Sequence, residues 1–349
     1  MKKIIYIPHR IDDYVCMWNG LEDLYIQNTG EILPPKCFFS LSSFGSFLYM
    51  KTPKSNLKRI VSLSDGRPKQ MYKFMAPIVG FDYKVYEYNT FKQVLNKIKN
   101  EIDAGFPCMI GALDMYYLHH FEKIYHNEHI PFHYELVVGY DDDSELIYFN
   151  DCGRLDTLSI SYDELSLALD CHYPELSKKN TVWTFRINQM KNKYQIAKEV
   201  ILKKKELFLN PRVGFTGYKG FCKFINELSK WKHELSKEEY DKILVNIVQF
   251  FGTVPTIPNA LLGINKPDEV EYCGGFDKIN VVLSSIGEEY NDINMQKVSK
   301  IFFKAAPIIT QIKEVIVDHL IGNCNVTEKL PLLFTQVANT MKYGFETLK

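Results

Sequence analysis

The chain has 349 residues, 46% hydrophobic and 24% charged, with 42 basic and 42 acidic side chains and a formal net charge of zero. That length predicts two domains with ample core, and the balanced charge gives no general affinity for nucleic acid or an anionic membrane. The eight cysteines lack CxxC pairing, which argues against both a zinc framework and a disulfide scaffold.

Residues 1–10 begin with two lysines, but Pro8, His9 and Arg10 cut the apolar run too short for a signal peptide. No window approaches the ~18 uninterrupted apolar residues of a spanning helix, so a cytoplasmic protein without a membrane partner is expected. The stretch Asp12-Asp13-Tyr14-Val15-Cys16-Met17-Trp18-Asn19-Gly20-Leu21 then reads as a helix start. Met17, Leu21, Leu24 and Tyr25 follow helical spacing and Asn28-Thr29-Gly30 is a stop, giving a helix over 14–28 capped by Asp12 or Asp13. Cys16 falls in the first turn, where unpaired N–H groups and the helix dipole favour a thiolate. A lone cysteine among apolar neighbours is also a common core residue, and both readings stand at this point.

Residues 31–39 read as extended and 40–49 as a buried, Ser-rich helix. Residues 51–73 carry Lys51, Lys54, Lys58, Arg59, Arg67, Lys69 and Lys73 against Asp65 alone; this is a solvated face or a dock for an acidic partner. A strand over 83–88 and a helix over 91–102 precede Gly105-Phe106-Pro107. A buried strand, 107–113, then delivers Asp114-Met115-Tyr116-Tyr117-Leu118 at its end. The following histidines, His119, His120, His126 and His129, lack an HExxH arrangement and read as a solvent-facing loop, so no metal site is expected.

Two strands, 133–140 and 145–151, flank Asp141-Asp142-Asp143-Ser144, a hairpin signal. A three-residue loop sets His133 opposite Asp151 on one sheet face; a two-residue loop slips the register and brings Asn150 to that face instead. A short helix over 162–169 and a strand over 181–187 follow. Beyond 188 long helical periods dominate (190–209, 221–231, 237–251, 276–290, 298–320 and 330–348), which puts a domain boundary between 1–188 and 189–349. The 22 Tyr and 23 Phe predict a large aromatic core.

A cysteine at a helix start, a histidine opening a distant strand and an Asp or Asn on the neighbouring strand are what thiol acyl transfer needs: nucleophile, proton shuttle and orienter. Cys16 with Gly20-Leu21, the Gly105-Phe106-Pro107 step, Asp114-Met115-Tyr116-Tyr117-Leu118, and His133 leading into Val137-Val138-Gly139-Tyr140-Asp141 and Asp151 resemble the butirosin biosynthesis protein H N-terminal domain family over residues 10–188. The resemblance implies an α+β, papain-like fold related to C39 peptidases, followed by a mainly helical accessory domain. It implies catalytic roles for Cys16, His133 and Asp151, and site-lining roles for Asp114, Tyr116 and Tyr117. It also implies an acyltransferase or amide synthetase passing an acyl group from a carrier-protein thioester through acyl-Cys16 to an amine in natural-product biosynthesis. The phosphopantetheine then belongs to the carrier protein, and the chain needs no cofactor of its own. The sequence departs from papain-like peptidases in having no glutamine before Gln27, so Asn19 or the segment 9–13 is left to help the Cys16 N–H as oxyanion donor. His119 also stands where relatives carry proline. A C39-like peptidase or amidase, and a binding protein with a structural Cys16, are the competing readings.

Overall fold

Alternation and helical periodicity resolve into an α+β chain, an antiparallel sheet with helices followed by a helical C-terminal part. The computed structural model describes residues 1–12, 15–63, 67–172, 178–250, 275–322, 326 and 328–349. In chain order its elements are β1 (Lys2–Ile4), α1 (Cys16–Thr29), α2 (Cys37–Ser43), β2 (Leu48–Lys51), β3 (Arg59–Ser62), α3 (Pro68–Val79), β4 (Phe81–Glu87), α4 (Phe91–Asp103) and β5 (Cys108–Leu113). Then come β6 (His133–Asp141), β7 (Leu146–Asn150), β8 (Leu158–Ser161), α5 (Tyr162–Leu169) and β9 (Thr181–Ile187). The helices α6 (Lys193–Leu209), α7 (Gly217–Leu228), α8 (Trp231–Glu234), α9 (Lys237–Phe250), α10 (Phe276–Glu289), α11 (Ile293–Phe303), α12 (Ala306–Leu320) and α13 (Lys329–Thr347) complete the chain. None of the described helices is long and apolar enough to cross a membrane.

The described residues fall into two units, one from 1–38 and 67–192, the other from 39–63 and from 193 onward. Residues 39–63, read from sequence as part of the first domain, thus join the second unit. The expected helix over 40–49 is instead α2 followed by strand β2, because Phe44 and Phe47 leave the helix to enter an aromatic core. There Phe47 stacks on Phe221 at 3.9 Å, and Phe44 meets Phe302 edge-on at 4.8 Å. The helix expected over 298–320 breaks into α11 and α12, with Pro307 in the first turn of α12, where its missing N–H costs nothing. Much of the basic run is spent inside the chain. Lys51 pairs with Glu227 at 3.0 Å, the buried Arg59 with Glu234 at 2.7 Å and Lys69 with Glu87 at 2.8 Å. Lys54 and Lys73 remain exposed.

In the first unit the sheet runs β4-β9-β5-β6-β7-β8, all antiparallel, with β1 added to the far end of β6. Strands β5 and β6 are buried along their whole length, and helices cover both faces of the sheet. Val94, Ile98 and Ile102 of α4 and Leu165 and Leu169 of α5 pack with Ile110, Val137, Ile147 and Val182. Tyr72 of α3 sits edge-on to Trp18 of α1 at 4.7 Å and to Trp183 of β9 at 5.3 Å. Strand β6 carries one unpaired extra residue: Val137 pairs with Phe149 and Gly139 with Tyr148, leaving Val138 as a bulge whose carbonyl accepts from the Ile5 N–H at 2.7 Å.

Helix α1 rests directly on β6, because Gly20 has no side chain to hold it off. A Cβ there would lie 2.7 Å from the Leu136 Cβ, an atom fixed to the sheet backbone. Cys16 stands one helical turn before Gly20, and His133 three residues before Leu136, so this contact brings the helix start to the start of the strand. Gly20→Val should therefore cost about 1–3 kcal/mol of stability in a urea titration. It should also slow labelling of Cys16 by an acyl thioester more than the lost folded fraction explains.

Candidate active site

Cys16 is the first residue of α1; the Trp18 and Asn19 N–H groups donate to the Val15 carbonyl at 2.7 and 2.9 Å, while the Cys16 N–H, at the helix start, has no preceding helical carbonyl to reach. Among the described residues, the expected cap by Asp12 is not present. Val15 is the N-cap and makes no side-chain cap bond, Asp13 and Tyr14 lie outside the described residues, and Asp12 instead accepts from the Lys36 N–H at 2.5 Å. The Cys16 thiol is partly accessible and lies within electrostatic reach of His133.

His133 opens β6, and its Nε2 lies 2.6 Å from Asp151 Oδ2, which leaves Nδ1 as the nitrogen available to Cys16. Burial opposes the imidazolium, yet the charge that Cys16 can carry and the Asp151 carboxylate outweigh it and raise His133 well above the ordinary histidine range. Burial likewise opposes the Asp151 carboxylate, but contact with His120 and His133 holds it well below the usual range. Of the two, only His133 is at hydrogen-bond length; His120 Nε2 stands at 3.8 Å. The second Asp151 oxygen accepts the Gly153 N–H at 2.8 Å, so both lone-pair edges are directed.

Asp151 reaches His133 by a register neither hairpin reading contained. Asp141 pairs with Leu146, so the connection has four residues, 142–145, and after the bulge Leu136 pairs with Asn150. Continuing that ladder puts Glu135 level with Asp151 and His133 one diagonal step away on the same face. Asn150, the alternative orienter, accepts from Thr157 Oγ1 at 2.9 Å.

The other sequence candidates have local tasks. Asp114 caps the turn Met115–Tyr117, accepting the Tyr116 and Ile130 N–H groups at 3.1 Å each and contacting His129 Nδ1 at 2.6 Å. Tyr116 stacks on His129 at 4.1 Å, and Tyr117 sits edge-on to Tyr116. These contacts describe the organiser of the loop after β5. Asp114→Ala should lower stability by about 1–3 kcal/mol, since it strands the N–H of buried Ile130. A loss of acyl transfer with unchanged denaturation would instead make Asp114 a site-lining residue. Asn19, buried, gives its Nδ2 to the Arg10 carbonyl at 2.9 Å and so ties segment 9–12 to α1.

Sequence reasoning missed the supports behind these residues. His9 Nδ1 contacts Asp23 at 2.6 Å, while its Nε2 contacts the backbone carbonyls of Asp151 at 3.1 Å and Arg154 at 2.7 Å. Arg10 pairs with buried Glu22, which also accepts the Phe38 N–H at 2.6 Å. Burial and nearby Asp12, only partly countered by Arg10, push Glu22 up to about 8. The signal was present, because Glu22 and Asp23 sit amid the apolar positions of α1, where bare charges need partners. Glu135 and His120 were missed as well. The histidine loop is not wholly solvent-facing: His120 is buried, its ring 5.6 Å from Phe149, whereas the His129 side chain is 62% exposed.

Among the described residues, then, His133 contacts Asp151 and lies within electrostatic reach of Cys16, an arrangement that can pass a proton from thiol to imidazole and hold the resulting charge. No curated protein matches the chain. Residues 163–254 match the model of a domain of unknown function, DUF4872. Residues 15–152, which begin one residue before Cys16 and end one after Asp151, match the model of the butirosin biosynthesis protein H N-terminal family, so Cys16, His133 and Asp151 all fall within that match.

Proposed function

We propose that the first unit is a papain-like thiol acyltransferase that makes amides in a biosynthetic pathway, with Cys16 as nucleophile, His133 as proton shuttle and Asp151 as orienter. The buried His133–Asp151 bond within electrostatic reach of Cys16, inside a segment matching a family named for a biosynthetic protein, carries this reading. His133 Nδ1 takes the thiol proton as Cys16 Sγ attacks the carbonyl carbon of an acyl thioester, and the first-turn N–H of Cys16 supports the oxyanion. The intermediate collapses to acyl-Cys16, and the departing pantetheine thiol receives the proton from His133. An amine then attacks, His133 accepts its proton and returns it to the leaving Cys16 sulfur, and an amide results. Thioester and acyl-cysteine are alike in energy, so the sequence runs downhill to the amide without ATP. The partners on this reading are a carrier protein presenting the acyl-phosphopantetheine and a small amine.

Incubation with acyl-pantetheine thioesters, followed by intact-protein mass spectrometry, tests it. Wild type should gain one acyl mass, Cys16→Ala should gain none, and added amine should discharge the adduct faster than buffer does. Discharge by water alone at the same rate would make the enzyme a hydrolase. No adduct with any of several donors would make Cys16 a structural residue.

A further inference from the structure

Two buried side chains beside the His133–Asp151 pair have no task in acyl transfer. His120, from the loop after β5, is 9% exposed and Glu135, on β6, is 1% exposed. Neither ring nitrogen of His120 and neither carboxylate oxygen of Glu135 has a hydrogen-bond partner. Each buried polar group left in that state costs about 1–3 kcal/mol, so four adjoining ones call for an occupant that satisfies them. They also converge. His120 Nε2 is 3.4 Å from Glu135 Oε1 and 3.8 Å from Asp151 Oδ2, while His133 Nε2 is 4.0 Å from the same Glu135 oxygen and 2.6 Å from the same Asp151 oxygen. One donor atom from each of the four residues lies within 4.8 Å of all the others.

Four donors around a tetrahedral ion with bonds of about 2.0–2.1 Å stand roughly 3.3 Å apart, a spacing the observed distances bracket. Two imidazole nitrogens and two carboxylate oxygens suit zinc and its neighbours among the first-row metals. Calcium and magnesium require six or more ligands, mostly oxygen. We propose that His120, His133, Glu135 and Asp151 form a binding site for a zinc-type divalent cation whose occupancy switches off Cys16. The switch follows from the tautomer. A metal on His133 Nε2 leaves the ring proton on Nδ1, the nitrogen facing Cys16, and a nitrogen that carries a proton cannot take one from the thiol. The ion also takes the Asp151 oxygen that orients His133. Cation binding stands on the cluster alone; the inhibition rests on the acyl-transfer reading.

Full-length protein stripped with a chelator and titrated with Co²⁺ should take up one equivalent, with the visible absorption of a tetrahedral centre, and Zn²⁺ should displace it. Glu135→Gln and His120→Ala, each checked for folding by circular dichroism, should weaken uptake at least tenfold, and Cys16→Ala should leave it unchanged. A thiolate-to-cobalt band in the near ultraviolet, lost in Cys16→Ala, would place the ion between Cys16 and His133 and overturn the site. So would the absence of Co²⁺ uptake by folded wild type, which would leave a buried water as the occupant. In the acylation assay, one equivalent of Zn²⁺ should abolish the adduct and a chelator should restore it. Protein that binds Co²⁺ but never acylates keeps the site and sinks the proposed function, and protein that acylates but binds no cation does the reverse.

Discussion

His133→Ala should form the acyl-Cys16 adduct roughly 10²–10⁴-fold more slowly than wild type, the range in which a positioned general base works. The loss has two sources: no group remains to take the thiol proton, and none returns it to the departing pantetheine. Alanine also strands the Asp151 carboxylate, which at 1% exposure has little water to replace the imidazole, and breaking a buried charged pair costs about 3–5 kcal/mol. His133→Gln separates the effects, since its amide can still donate to Asp151 but is no base. The glutamine variant should melt closer to wild type yet acylate as poorly as the alanine variant. Added imidazole should partly restore adduct formation in His133→Ala, where a ring-sized space is open, and not in His133→Gln. Near-normal acylation of folded His133→Gln would remove His133 from the chemistry.

Asp151→Asn should cost roughly 10⁴-fold in acylation, the scale seen when an orienting carboxylate becomes an amide and the histidine takes the wrong tautomer. The amide oxygen can still accept the Gly153 N–H, so the loop is kept, but its NH₂ group meets His133 Nε2. His133 must then accept at Nε2 and carry its proton on Nδ1, which faces the thiol. Asn150→Ala loses only the bond from Thr157 and should stay within a few-fold of wild type. Single-turnover rates for the pair of variants decide the assignment; the reverse ranking would make Asn150 the orienter.

What could be read in the sequence was chemistry carried by order and spacing. Cys16 before a helical period, His133 opening a strand and Asp151 just past the end of the next were legible because strand and helix periods differ and because thiol acyl transfer needs few residue types. The hairpin register was not legible, since both the four-residue turn and the bulge at Val138 are set by tertiary pairing with β1. Helix α3 was hidden by charge: Lys69 and Lys73 drew attention away from Met71, Tyr72, Met75, Ile78 and Val79, whose spacing is helical and whose side chains are buried. The transfer of residues 39–63 to the second unit was equally hidden, because a single chain pattern does not say which core an aromatic residue joins. His120 and Glu135 escaped notice because a histidine in a polar loop and a glutamate inside a strand become unusual only when burial is known.

The bulge gives the hairpin a phase. On its turn side the pairing partners sum to 287, as for Asp141 with Leu146, and on its site side to 286, as for Leu136 with Asn150. Were Val138 paired in the ladder rather than left out of it, the odd sum would run through, and Asn150 would face the side on which His133 lies. One residue some way from the thiol therefore selects a carboxylate over an amide as the neighbour of the imidazole. The turn at 142–145 can change length at the far end of the sheet without retuning the site, whereas drawing Val138 into the ladder would exchange an acid for a neutral group beside the imidazole.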